Sequence, residues 1–373
     1  MTLCKYAEQG LFISSTSEGH SQVAMCCWQS REKFIPPLRY DNGYLNKLRT
    51  DFQQGKLPSQ CNHYCSISGH GSNEREYSLS DSLWPESDEK KIVKLHLEQS
   101  LTCNLKCISC GPNWSSAWNS DYHHFDSSYP PNLLYKNPEK VWQHLDLSSL
   151  IHLQFTGGEP LLNKDNKKIL QHLNNIGRLP NVCISYNTNA TVFPDKETIQ
   201  LWSKAKFVRL FLSLDGIEST FEYTRYPAKW EQVLENIRKF QAITECCVII
   251  EVTFTTGVHN LFNLPDFFEW WENTKITGSH GDESKVFIKQ IEAVTHGGKS
   301  LRLKNLPSSL QSQAIEMLQH YSNYRGVDGI LKAIQNLNQT NSWLEYLIKL
   351  DEIRNTNFRK QLPNQLSQFY LGD

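Results

Sequence analysis

No stretch of the 373-residue chain approaches the roughly 20 consecutive apolar residues that a membrane span requires, which excludes a helical membrane protein. Neither sign of charge is in surplus. Lys and Arg total 38 against 39 Asp and Glu, the formal net charge is -1, and no Lys/Arg block stands out, so an electrostatic nucleic-acid binder is disfavoured. The opening "MTLCKYAEQG" lacks the charged-then-apolar layout of a secretory signal. The expectation is a cytoplasmic protein in a reducing environment, where eleven cysteines read as ligands or core residues rather than disulfides. Internal repeats and low-complexity tracts are absent as well. What remains is length: 43.2 kDa can bury a full core, as one large α/β domain with an appendage or as two ordinary domains.

Residues 1–90 are rich in Ser, Gly, Asn and Gln, with Cys4, Cys26, Cys27, Cys61 and Cys65 scattered among them. Such a segment is expected to be a loop-rich module held together by metal. Its one convincing helical period is "YLNKLRTDFQQGK" (44–56), with Leu45, Leu48 and Phe52 on one stripe. After Lys91 the texture becomes short apolar runs alternating with amphipathic stretches, the pattern of βα units around a parallel sheet. Six strands are expected: 92–98, 151–156, 182–188, 207–215, 247–254 and 285–292. Six units are too few for a closed eight-stranded barrel, so the fold expected over 91–300 is a partial (β/α)6 TIM-like barrel. A helical tail follows over 301–373.

Cys103, Cys107 and Cys110 follow the first of these strands at a spacing of C-x3-C-x2-C, at the carboxyl end where α/β barrels place their chemistry. Three thiolates on one loop can hold three corners of a cubane iron–sulfur cluster and leave the fourth iron without a protein ligand. A structural zinc site is the competing reading, and it requires a fourth ligand, for which His96 and His152 are available although both fall in expected strands.

The cysteine triplet, then "TGGEP" (156–160), "YNTNAT" (186–191) and "SLDG" (213–216), each closing a successive strand, together resemble the radical S-adenosylmethionine (SAM) superfamily over about residues 92–292. The resemblance implies an enzyme with a [4Fe–4S] cluster whose open iron binds the amino and carboxylate groups of SAM, and reductive cleavage to methionine and a 5′-deoxyadenosyl radical that abstracts hydrogen from the substrate. Carried over residue by residue, Gly157 and Gly158 let the backbone approach the methionyl end, Glu159 accepts from its ammonium, and Pro160 stiffens the turn. Asn187, Asn189 and Ser213 are placed to bond the ribose or carboxylate. Asp215 and Gly216 shape a turn. Family members carry an aromatic residue after the second cysteine, where this chain has Ile108, implied to pack against adenine. The resemblance also implies an external electron donor such as flavodoxin or ferredoxin.

Cys4, Cys26, Cys61 and Cys65 resemble an N-terminal form of the twitch module, a shortened relative of the SPASM domain, and are implied to hold an auxiliary [4Fe–4S] cluster. Cys27 is a reserve ligand. The last pair is C-x3-C where the module more often shows C-x2-C, which leaves a zinc site with His63 or His70 open. Cys183, Cys246 and Cys247 read as core residues.

Among other features, "FFEWWEN" (267–273) reads as helix-to-sheet packing, and Arg225 in "YTRYPAKW" either grips a carboxylate or phosphate or makes an ordinary salt bridge. The aromatics of the insert 113–137 form part of a substrate wall or pack across the barrel mouth, and His259 and Asn260 serve turn chemistry. The expected function is oxidative modification of a peptide by a radical SAM enzyme, with a small-molecule dehydrogenase or mutase on the same scaffold as one alternative. A non-catalytic zinc-binding interaction protein is the other. No nucleic-acid or membrane partner is expected.

Overall fold

The computed structural model describes residues 9–15, 21–25, 32–33, 43–56, 58, 61, 91–130, 141–290, 299–335, 340 and 342–367. Three strands come first, β1 (Gly10–Ser15), β2 (Ser21–Ala24) and β3 (Glu32–Lys33), followed by helix α1 (Gly43–Gln53). The expected period holds in α1, where Leu45, Leu48 and Phe52 are all buried. The six expected strands are present as β4 (Lys94–Glu98), β5 (His152–Phe155), β6 (Cys183–Thr188), β7 (Phe207–Ser213), β8 (Val248–Thr256) and β9 (Lys285–Gln290). Among the described residues they form one sheet of nine strands in the order β3-β2-β1-β4-β5-β6-β7-β8-β9. It is not closed, and β4 to β9 run parallel in sequence order, as in a partial TIM-like barrel.

The sequence reading did not anticipate the first strands. β1 pairs in parallel with β4, so the main sheet begins at residue 10, and Leu11, Phe12, Ile13, Val23, Ala24 and Met25 are buried on apolar contacts.

The helices on the sheet are α2 (Lys164–Asn175), α3 (Lys196–Trp202), α4 (Glu218–Thr224), α5 (Trp230–Gln241) and α6 (Leu264–Thr274). Side-chain oxygens start two of them: Asn163 accepts from the Asp165 amide ahead of α2, and Asp195 from the Thr198 amide ahead of α3. Strand side chains alternate in facing, and the register sorts them into two sets. One set, including Leu153, Phe155, Tyr186, Leu210, Ile250 and Phe254, is at most 2% exposed and meets the helices. Phe254 stands edge-on to Phe267 of α6 at 4.8 Å, and the indole N–H of Trp202 on α3 donates to the Tyr186 hydroxyl at 3.2 Å. Burial of each such side chain contributes about 1.5–3 kcal/mol. Of the "FFEWWEN" aromatics, Phe267 packs helix to sheet as expected, whereas Phe268 stacks on Tyr324 at 3.9 Å and Trp270 meets Trp230 of α5 at 5.1 Å. The other set, on the inner face, is polar: His96, Gln154, Ser185 and Arg209 share one row of the register.

The tail is helical, with α7 (Ser308–Gln319), α8 (Val327–Ile334), α9 (Ser342–Arg354), α10 (Phe358–Gln361) and α11 (Asn364–Ser367). α9 does not trail away but returns to the loop after β4. Its Tyr346 hydroxyl donates to the Ile108 carbonyl at 2.7 Å, and Arg354 Nε donates to Asp121 at 2.7 Å. Among the described residues no helix is long and apolar enough to cross a membrane.

Candidate active site

The loop leaving β4 turns over residues 101–118 and is held by its own chain. The Ser115 hydroxyl donates to the Leu105 carbonyl at 2.6 Å, and the Trp118 indole N–H to the Cys107 carbonyl at 2.9 Å. The Ile108 amide donates to the Thr224 carbonyl at the end of α4. Ile108 itself is 0% exposed, so its side chain is core, and the expected contact with adenine has no exposed surface to use here. Trp118 is likewise fully buried, which makes this aromatic of the insert a packing residue.

Cys103, Cys107 and Cys110 are half-buried and unpaired by disulfide, and their sulfurs feel one another's charge. Burial pushes all three thiols up, Cys107 to about 11 even though the Arg225 guanidinium opposes it. Thiols in this state stay protonated unless a cationic partner takes them as thiolates. Among the described residues no trio of His, Cys, Asp or Glu closes around one metal-ion position, this trio included. His96 Nε2 is 2.7 Å from the Thr156 hydroxyl and His152 Nε2 is 2.9 Å from the Ser185 hydroxyl, so neither completes a zinc set with the three thiols. Cubane thiolates stand on separate irons and need no common centre, so the donor set fits a cluster better than a single ion.

The glycine turn after β5 clamps this loop from below. Gly157 (φ 81°) and Gly158 (φ 53°) occupy left-handed backbone. A Cβ on Gly157 would lie 2.7 Å from Glu98 Cγ and 2.9 Å from the Ser100 carbonyl oxygen, and one on Gly158 would overlap the Thr102 carbonyl. The Glu159 amide donates to that same Thr102 carbonyl at 2.8 Å. The close approach these glycines permit is thus to the backbone leading into Cys103.

Glu159 is 0% exposed, and its carboxylate accepts from the Leu161 amide at 3.0 Å, the Thr188 hydroxyl at 2.9 Å and the Asn189 amide at 2.7 Å. Burial nevertheless raises its pKa to about 7. Its partners tie the turns after β5 and β6 together, a positioning role the sequence reading did not assign. Asn189 Nδ2 donates to Asn104 at 3.0 Å and points at Cys103 Sγ at 3.9 Å, while its Oδ1 accepts from the Thr191 amide and hydroxyl. Asn187 accepts from Gln154 at 3.1 Å on the inner face, and Ser213 ends β7 half-buried on that face. The structure thus gathers Asn189 and Glu159 at the cysteine loop and leaves Asn187 and Ser213 along the inner face.

Arg225 was open in the sequence between an anion grip and a salt bridge. It makes the salt bridge, to Asp215 at 2.6 Å, and its other terminal nitrogen lies 3.8 Å from Cys107 Sγ. Asp215 also accepts from the Thr255 amide at 2.8 Å, and Asn260 bonds the Asp215 and Thr255 carbonyls, which bears out the turn roles of both. Given no role by the sequence were Asn104, Thr188 and Thr191, which lie within the motifs as unassigned polar positions, and Asp121 and Arg354, which belong to no motif. Asp121 and Arg354 form a pair with side chains 5% and 3% exposed, joined by Lys106 at 2.6 Å.

Cys61 is buried in the hydrophobic core, while Cys4, Cys26, Cys27, Cys65, His63 and His70 lie outside the described residues. Cys183 and Cys246 are buried as expected, and Cys247 is half-buried.

The family model described as the Radical SAM superfamily matches residues 97–261. A GTP 3′,8-cyclase from Clostridium botulinum is 24% identical over 172 residues, 46% of this chain and 50% of that protein. Another, from Listeria welshimeri, is 24% identical over 241 residues, 61% of this chain and 62% of that protein. The chain spans about half the length of the first of these relatives. Among solved structures, Streptococcus suis SuiB covers 84% of this chain and 68% of its own at 13% identity and a TM-score of 0.38. The anSMEcpe structure with bound AdoMet and a Cp18Cys peptide covers 62% of each chain at 15% identity and a TM-score of 0.37.

Proposed function

From a chain whose residues 97–261 carry a Radical SAM domain, we propose a radical SAM enzyme that holds a [4Fe–4S] cluster on Cys103, Cys107 and Cys110 and oxidatively modifies a peptide. The observation that carries this reading is the loop itself: three unpaired, mutually interacting thiols at the carboxyl end of β4, clamped by the glycine turn and approached by a guanidinium. When bound, the cluster with SAM supplies a 5′-deoxyadenosyl radical able to take hydrogen from an unactivated carbon.

The chain's own groups bind and orient. Asn189 and Asn187 offer amides, and Ser213 a hydroxyl, to the ribose and carboxylate of SAM. Glu159, engaged by three donors of the chain, acts on the methionyl end through the position of the turn, with its carboxylate oxygens as acceptors for an ammonium. Arg225, fixed by Asp215, places positive charge beside Cys107, where thiolate charge gathers. Electrons come from an external donor such as flavodoxin or ferredoxin. Cys4, Cys26, Cys61 and Cys65 would hold an auxiliary [4Fe–4S] cluster, which would supply an electron acceptor or conduit suited to a net oxidation.

A peptide suits a sheet that does not close on itself among the described residues. The relatives named GTP 3′,8-cyclase favour a second reading, a small polar molecule. Anaerobically reconstituted protein with SAM and a strong reductant should release 5′-deoxyadenosine, faster when the peptide substrate is added. Stimulation by small polar molecules and by no peptide would move the assignment to the second reading, and no release under any condition would end both.

A further inference from the structure

The inner face of the sheet carries a feature that the cysteine site does not use. His152 opens β5 and is 7% exposed, with Nε2 bonded to Ser185 and Nδ1 buried without a hydrogen-bond partner. Arg209, in the register row of Ser185, is half-buried, lies over the Phe207 ring at 5.6 Å, and its Nε is buried and unpartnered as well. Among the described residues this guanidinium makes no ion pair, and the Glu251 carboxylate acts on it only through its charge. Burial holds the His152 imidazole well below its usual range, and the charges of Lys94, Arg209 and His96 push it the same way. The groups felt at His152 are thus all basic. A half-buried guanidinium with no ion-pair partner and an unpartnered Nε, and a buried imidazole nitrogen without a partner, are each costly, and one oxyanion bound between them would relieve both.

We propose that the inner face binds an anionic group of the substrate, a carboxylate or a phosphate, between Arg209 and His152. Glu251, in the next row of this face and opposite Lys285 in the register, feels the charge of Arg209 first and then of Lys285 and Arg325, without forming an ion pair with Arg209. The inference deepens the proposed function by naming the handle by which a substrate is held along the sheet, with the carbon to be attacked nearer the cysteine end of the strands. A guanidinium can meet either oxyanion with two parallel N–H donors, which a lysine cannot.

The test is calorimetric titration of the full chain with pyrophosphate in one arm and tricarballylate in the other, each against sodium chloride at matched ionic strength. One saturable site is expected in at least one arm, and the tighter arm identifies the oxyanion. Arg209→Gln should weaken it by about tenfold or more, the loss of a charge-assisted contact, and Arg209→Lys by less. His152→Gln serves as an independent variant, expected to weaken the same site if Arg209→Gln does not fold. Binding that is unchanged in these variants, or matched by chloride, overturns the proposal. The titration needs neither cluster reduction nor SAM cleavage. A protein that binds the oxyanion but releases no 5′-deoxyadenosine would defeat the proposed function and leave this site standing, and the opposite pair of results would do the reverse.

Discussion

Gly158 and Gly177 both sit at positive φ, 53° and 68°, yet they should respond very differently to alanine. Nothing lies within 4 Å of a Cβ built on Gly177, so Gly177→Ala should cost only the left-handed penalty of about 1–2 kcal/mol. At Gly158 the methyl would overlap the Thr102 carbonyl, and displacing that backbone adds an overpacking cost of about 1–3 kcal/mol. Urea unfolding of the two variants should separate them by that second amount. Equal losses would mean the glycine turn does not clamp the cysteine loop. Glu159 makes a pH prediction. Its folded pKa is raised from 4.5 to about 7, so the native state holds its proton more tightly than the unfolded chain does. Its contribution to stability is therefore full below about 4.5 and is lost as pH rises to about 7. Subtracting the unfolding free energy of Glu159→Gln from that of wild type should leave a difference that falls with pH across this window, on the order of 3 kcal/mol in all. A flat difference would show that the carboxylate is not buried as described.

At the scale of elements, the link from α9 to the cysteine loop is the one most exposed to test. Burial raises the Asp121 carboxyl, but Lys106 and Arg354 outweigh that and leave it below its usual range. The pair it makes with Arg354 is almost wholly buried. Asp121→Asn leaves the guanidinium buried without its counter-charge and should cost about 3–5 kcal/mol. Because Asp121 follows the loop of the three cysteines, iron retention after anaerobic desalting should fall along with stability. Retention equal to wild type would show that α9 packs on the loop without holding it. None of this was visible in the sequence, since Asp121 and Arg354 are 233 positions apart and neither belongs to a motif. The six strands from β4 onward were visible, because each lies in a short run with apolar residues that neighbouring helices bury on one face. β1 and β2 were not: "GLFISS" and "SQVA" are short, are embedded in Ser- and Gln-rich sequence, and take their places in the sheet by pairing with β4, with each other and with β3.

For the whole molecule, the site was legible in proportion to how local its chemistry is. Three cysteines within eight residues declare a metal-binding loop by spacing alone, and the Gly-Gly-Glu turn declares tight backbone. The contacts that complete the site join distant segments: Arg225 to Cys107, Asn189 to Asn104, Glu159 to Asn189. A motif names such residues without saying whom they touch. Glu159 shows the difference, having been assigned to a ligand by resemblance and found engaged by its own chain. The auxiliary cluster proposed for Cys4, Cys26, Cys61 and Cys65 is checked by counting iron and sulfide. Wild type should hold about eight irons and a Cys61/Cys65 double alanine variant about four, whereas equal counts would leave one cluster.

The central claim is that one loop's three thiols hold a cluster with an iron left open to SAM. Its most direct measurement is the electron paramagnetic resonance spectrum of the reduced, anaerobically reconstituted protein before and after SAM is added. The account predicts a reduced-cluster signal that changes shape on addition of SAM, and loss of that response in the Cys103, Cys107 and Cys110 triple alanine variant. A triple variant whose spectrum still responded to SAM as wild type does would contradict it.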